Sequence, residues 1–392
     1  MTYTAARRAC AWVFFCPGLA YGLFTSRLPA VKLQANLDEA EIGMALLALG
    51  GSCLVMLMML PKLLSRWSVK EVILGALIGL AIGLLIAMSA QNLIWLVMGC
   101  IITGLTIGLT DGAMNVLGER FERETGKPTM SYFYAFYSLG AVTASVLGFT
   151  VAALSGGPSL NTAIGIAAMS LLMLTQVKAM PGGDRDPQTQ PKGQKDKLRL
   201  SELPMMLLVL GLMTTCAYAS EGAVGEWSAL YLVEQGAPES WAALVYGCFS
   251  VAVTMVRLVV DKIRMLLQDS VIVFTGMLIA ASGLGLALYT ESILLSYVGF
   301  LLFGFGFAPV SPILFSYAGR VPGISSSRGV SIVALFSYSG LLIIPPCIGT
   351  LAKATNLSTA LSVVFVLIAI IGIGSRLLKR QASGEPLNKV LD

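Results

Sequence analysis

Residues 181–202 read PGGDRDPQTQPKGQKDKLRLSE. Here Pro, Gly, Gln and charge replace the apolar residues on either side, the composition of a solvated linker. Upstream the chain divides into six apolar runs starting near residues 9, 41, 71, 93, 130 and 159; downstream, six more start near 203, 240, 269, 292, 329 and 356. These runs are about 20 residues or longer, enough for a helix to cross a hydrocarbon core of about 30 Å, and they lack the roughly 10-residue alternation of outer-membrane strands. The expected fold is all-α: twelve transmembrane helices in two six-helix bundles, residues 1–180 and 203–380, joined by the linker 181–202 and followed by a tail, 381–392.

Composition agrees. Of the 392 residues 56% are hydrophobic and 12% charged, with mean hydropathy +0.81, far from the soluble average of about 25% charged. The first run ends in TSRLPA without a small-residue cleavage site, so it reads as a retained helix rather than a signal peptide. The seven cysteines lie singly in or beside apolar runs, with no CxxC and no His in the chain to complete a metal site. No metal and no cofactor are expected. The missing His also removes imidazole from any proton relay, which leaves carboxylates to handle protons.

Lys and Arg set the orientation. With both termini cytoplasmic, 23 of the 26 fall on the inner side, and only Arg27, Lys32 and Lys353 face outward. The net charge of +5 is this topology signal and carries no nucleic-acid meaning. The halves also echo each other: Gly104 and the YSLG ending at Gly140 return as Gly304 and the SYSG ending at Gly340, an offset of 200. Two related six-span bundles around a central linker resemble the parallel repeat of major facilitator transporters, whose substrate site lies between the halves near the midplane. That resemblance implies that spans 1, 4, 7 and 10 line the central cavity.

The ionisable residues inside or at the ends of spans fall on those helices: Arg27 on span 1, Asp111 on span 4, Glu221 and Glu226 on span 7. A charge at the centre of a membrane helix costs roughly 3 kcal/mol on insertion scales, so each is a candidate for substrate binding or proton coupling. Glu221 and Glu226 sit about 140° apart around their helix and need not face one partner. Low dielectric favours a neutral carboxyl group and an approaching Arg restores its charge, the basis for a proton site that alternates with conformation. The plainer reading is a fixed salt bridge from Glu221 to Arg27. Asp111 and Asn115, at i and i+4, share one face of span 4, where their pairing would orient a polar solute or a proton; the alternative is an Asp bracing helix ends. Trp227, Tyr134 and Tyr137 are candidates to stack on a sugar-like ring, against the commoner role of aromatics as packing or interface anchors. In VRLVVDKIRM, Arg257 and Asp261 form an i, i+4 pair suited to a breakable gate. The equivalent loop after span 2, LPKLLSRWSVKE, keeps basic residues but lacks the Gly and Asp of the familiar facilitator gate motif.

Three segments carry a closer resemblance. DGAMNVLGERFERETGKPTMSYFYAFYSLG, ASEGAVGEWSALYL and TSRLPA resemble the corresponding segments of the YbjJ-like inner-membrane facilitators, and more distantly the fucose permeases. Tyr134 stands where those relatives often have His. The resemblance implies a secondary transporter in a bacterial cytoplasmic (inner) membrane, working as a monomer in the lipid bilayer. The expected activity is proton-coupled symport of a small polar organic solute. The alternatives are proton-coupled efflux antiport of drugs or metabolites and, more remotely, a nonconducting sensor. An enzyme is not expected, since the chain has no His, no HExxH and no phosphate loop.

Overall fold

A computed structural model describes residues 3–126, 129–181, 203–322, 324 and 326–378; the linker and tail expected from the sequence lie outside the described residues. Among these residues all regular structure is helical, and twelve helical segments are long and apolar enough to cross a membrane. The protein is an all-α membrane protein of twelve spans. Spans 1 to 6 are α1 (Tyr3–Ser26), α3 (Glu39–Leu64), α4 (Val69–Met88), α5 (Leu93–Thr125), α6 (Met130–Ala153) and α7 (Pro158–Gln176), with the short α2 (Leu28–Gln34) after α1. Span 7 is α8 (Met205–Glu234), and span 8 combines α9 (Glu239–Ala242) with α10 (Val245–Leu266). Span 9 is α11 (Asp269–Leu288), span 10 is split into α12 (Ile293–Phe307) and α13 (Val310–Ala318), span 11 is α14 (Ser326–Ala354), and span 12 is α15 (Leu357–Leu361) with α16 (Val363–Gly374).

Local chemistry sets the ends of these helices. Asp38 and Glu41 form a capping box that starts α3, Ser68 and Glu71 form another at α4, and the Asn92 side chain accepts from Trp95 N to start α5. Gly126, at φ +66°, closes α5 in the left-handed conformation that glycine adopts without strain. The Glu122 carboxylate then accepts from the backbone N–H groups of Thr129 and Met130, capping α6 with a side chain from the helix before it.

The helices pack as two compact units. The first takes in Met1–Gln194 and Glu226–Val251, the second Lys195–Gly225 and Ala252–Asp392. In the first unit α1 packs chiefly on α6, and α5 packs against both α3 and α4. Lipid offers no hydrophobic drive between helices, so close approach through small residues carries the packing. A Cβ at Gly140 would run into Phe15 O and Leu19 N, and one at Gly99 into Ala87 N. The second unit repeats these contacts at the expected offset of 200: a Cβ at Gly340 would meet Thr215 O and Ala219 N, and one at Gly299 would meet Ala287 N. The echo in the sequence is therefore a repeated packing scheme. Large apolar side chains left on the outside, such as Met58, Ile78, Leu171, Leu258 and Leu294, form the surface expected to face lipid.

Candidate functional site

In the first unit, Tyr21 of α1 donates its hydroxyl to Glu226 Oε1 at 3.3 Å, and its ring lies edge-on to Tyr246, 5.6 Å between centroids. Glu226 is only 4% exposed, and its Oε2 is enclosed with no hydrogen-bonding partner among the described residues. Its neighbour Trp227 is fully buried, with the indole N–H likewise enclosed and unpartnered. Such groups cost free energy until a proton, water or ligand satisfies them.

Arg27 stands at the junction of α1 and α2 and is 1% exposed. It donates through Nη2 to Gly156 O at 2.6 Å and through Nη1 to Gly148 O at 3.5 Å, and it forms an ion pair with Glu239 at 3.0 Å. That ion pair lacks the angle of a directed hydrogen bond. Further contacts run alongside it: Trp241 lies edge-on to Phe149 at 5.4 Å, Gly148 faces Ala243, and Gly247 faces Ser145. The segment Glu226–Val251 is thus clasped to α1 and α6 by Tyr21, Arg27 and small-residue contacts.

On α5, Thr106 and Thr110 each donate to a carbonyl one turn back, at 2.8 and 2.7 Å, while the Thr103 hydroxyl is enclosed without a partner among the described residues. Asn115 does likewise, its Nδ2 donating to the backbone oxygen of Asp111 at 2.8 Å, while its Oδ1 accepts the Tyr134 hydroxyl at 2.7 Å. The expected pairing of Asn115 with the Asp111 carboxylate is therefore replaced by a bond to the Asp111 carbonyl. Both side-chain functions of Asn115 are occupied, and Asp111 keeps one enclosed carboxylate oxygen, Oδ1, without a partner among the described residues. The Tyr134 ring stands edge-on to Phe14 at 5.4 Å, and Tyr137 is half-buried, its carbonyl against Gly18.

In the second unit Glu221 and Arg257 are both half-buried, with Arg257 Nη2 3.4 Å from Glu221 Oε1. The plainer sequence reading is a bridge from Glu221 to Arg27; within its own unit Glu221 pairs with Arg257, and within the first unit Arg27 pairs with Glu239. The side chain of Asp261, the other expected partner of Arg257, lies outside the described residues. A tighter pair sits lower on α10, where Arg264 donates from Nε and Nη2 to the two Asp269 oxygens at 2.8 and 3.0 Å. Sequence reasoning missed Tyr21, Tyr246 and Glu239. Glu239 carried a usable signal, since Glu39 occupies the equivalent place in the repeat and pairs with the nearby Lys32.

The chain matches the Major Facilitator Superfamily over residues 10–345. It belongs to that family of transporters. Within the superfamily it is 28% identical over 373 residues to an uncharacterised MFS-type transporter of Yersinia pestis, covering 94% of each chain. It is 25% identical over 380 residues to the membrane protein MosC of Rhizobium meliloti, covering 96% of this chain and 91% of that one. Its fold is shared with the nucleoside transporter NupG (TM-score 0.71, 14% identity, 96% of this chain and 98% of that one). The same holds for a D-xylose-proton symporter (0.71, 14%, 98% and 100%) and for FucP in the outward conformation (0.64, 17%, 97% and 100%). At these identities the structural likeness shows a major facilitator fold and nothing about substrate.

Proposed function

We propose that this facilitator moves a small polar organic solute across a bacterial cytoplasmic membrane by alternating access, in symport with protons. The observation that carries the reading is the Glu221–Arg257 pair. At 3.4 Å and half-buried, it is a carboxylate held loosely by one cation, a partner that it can exchange for a proton as the helices move. Support comes from one oxygen each of Asp111 and Glu226, enclosed and without a partner among the described residues, which a hydroxylated or amino solute would satisfy once helix movement opens a path to them. In this reading Arg27 serves coupling by holding the clasped segment, half-buried Tyr137 offers aromatic surface to the solute, Trp227, fully buried here, reaches it only if span 7 moves, and Arg257 with Asp261 controls the inner gate.

Screening a solute library for thermal stabilisation of the purified protein identifies the substrate, since saturation at 100 times Kd adds about 2.7 kcal/mol. Adding that solute to lightly buffered cells then alkalinises the medium if protons enter with it. Acidification instead would establish efflux by antiport, and binding without any flux would establish a sensor.

The orientation belongs to the same proposal: both termini and the linker 181–202 are cytoplasmic. A cysteine introduced at Gln190 resists an impermeant thiol reagent in intact cells, and one at Gln91, exposed at the start of span 4, reacts. The reverse pattern would invert the topology.

A further inference from the structure

The loop that lost the facilitator gate motif borders a groove on the first unit. Leu63 and Trp67 at the end of α3, Val72, Gly75 and Ala76 on α4, and Leu109 on α5 line a groove of about 410 Å³. Its walls are apolar, and a Cβ at Gly75 meets nothing within 4 Å, so the wall is open there. The one charged residue in the lining, Glu71, turns its Oε2 into the helix cap, 2.8 Å from both Ser68 N and Ser68 Oγ. Trp67 is 49% exposed at the end of a span, the level at which indole rings settle between hydrocarbon and water. Lys62, Arg66 and Lys70 each adjoin a lining residue in the chain, Leu63, Trp67 and Glu71, and form no ion pair among the described residues.

We propose that this groove binds an anionic phospholipid, with an acyl chain along Trp67, Gly75 and Leu109 and the phosphate held by Lys62, Arg66 and Lys70. An apolar groove alone would take any lipid. The three cations, with Glu71 engaged in its cap, supply the selectivity, because basic residues at a membrane surface attract anionic headgroups. The site is independent of the carboxylates on spans 4 and 7, and only its assignment to the inner leaflet rests on the orientation proposed above.

The test places the full chain in phosphatidylcholine nanodiscs doped with brominated phosphatidylglycerol or brominated phosphatidylcholine. Both leaflets then have one composition, so the outcome does not depend on orientation. Trp67 emission is taken as the difference between the protein and its Trp67→Phe variant. Half-quenching is expected at a mole fraction at least about tenfold lower for the brominated phosphatidylglycerol, and the advantage falls by up to about fivefold for each of Lys62→Gln, Arg66→Gln and Lys70→Gln. Gly75→Leu, whose Cβ has open space around it, weakens quenching by both lipids because it fills the groove. Equal quenching by the two headgroups in the unaltered protein would overturn the proposal, and so would an advantage that survives removal of all three cations.

Discussion

Glu221→Gln inserts and folds as the parent does but fails to accumulate substrate against its gradient in proteoliposomes, while solute exchange across the membrane continues. Gln keeps the shape of Glu and a hydrogen-bonding carbonyl, so a carboxylate that only braced Arg257 would lose little, about 1 kcal/mol for a half-exposed pair. A coupling carboxylate loses everything that matters, because the amide neither takes up nor releases a proton and the link between gradient and conformation is gone. With one proton per solute, each unit of imposed pH difference stands for about tenfold accumulation, so the parent and Glu221→Gln separate by that factor per unit. Glu226→Gln is milder, since the Tyr21 hydroxyl still finds an acceptor in the amide. Arg257→Gln, which removes the cation and keeps the carboxylate, changes the pH profile of accumulation rather than abolishing it. Full accumulation by Glu221→Gln would sink its coupling role and move the assignment to Asp111.

Arg27→Met is expected to release the segment Glu226–Val251 from α1 and α6. Breaking a buried ion pair by removing one partner costs roughly 3 to 5 kcal/mol when the survivor stays buried. Here the survivor, Glu239, has 35% of its side chain exposed and takes up water, so the loss falls to about 2 kcal/mol, or roughly thirtyfold in the population of the released form. Labelling reports it. A cysteine placed at Ser145, fully buried against Gly247, reacts with a thiol reagent far faster when Arg27→Met is present, measured against the parent with its native cysteines. Glu239→Gln keeps an acceptor for the guanidinium, and Arg27 retains its bonds to Gly148 and Gly156, so the effect is several-fold smaller. Unchanged labelling in Arg27→Met would reduce Arg27 to an anchor of the α1–α2 junction.

The sequence alone determined the twelve spans and the packing repeat. Hydropathy is summed along a single helix, and the predicted starts near 93, 130, 269 and 356 fall within a residue of Leu93, Met130, Asp269 and Leu357. The offset of 200 was equally legible, because a glycine that admits a neighbouring backbone must recur wherever that approach recurs, as at Gly140 and Gly340. Arg27, Asp111, Glu221 and Glu226 stood out against their apolar runs, whereas Glu239, at the start of span 8, did not. Their partners were not readable. Glu221 lies 36 residues from Arg257, and Arg27 lies far from Glu239 in the sequence; which cation meets which carboxylate depends on how the helices are rotated and which ends touch. Even the neighbours Asp111 and Asn115 show the limit: spacing placed them on one face, but the amide reached the backbone carbonyl one turn back and the Tyr134 hydroxyl closed its other side. Periodicity records which face of a helix is buried. Only tertiary contact decides what that face is buried against, and therefore which carboxylate is clamped, which is loosely held and which is left with an oxygen to offer.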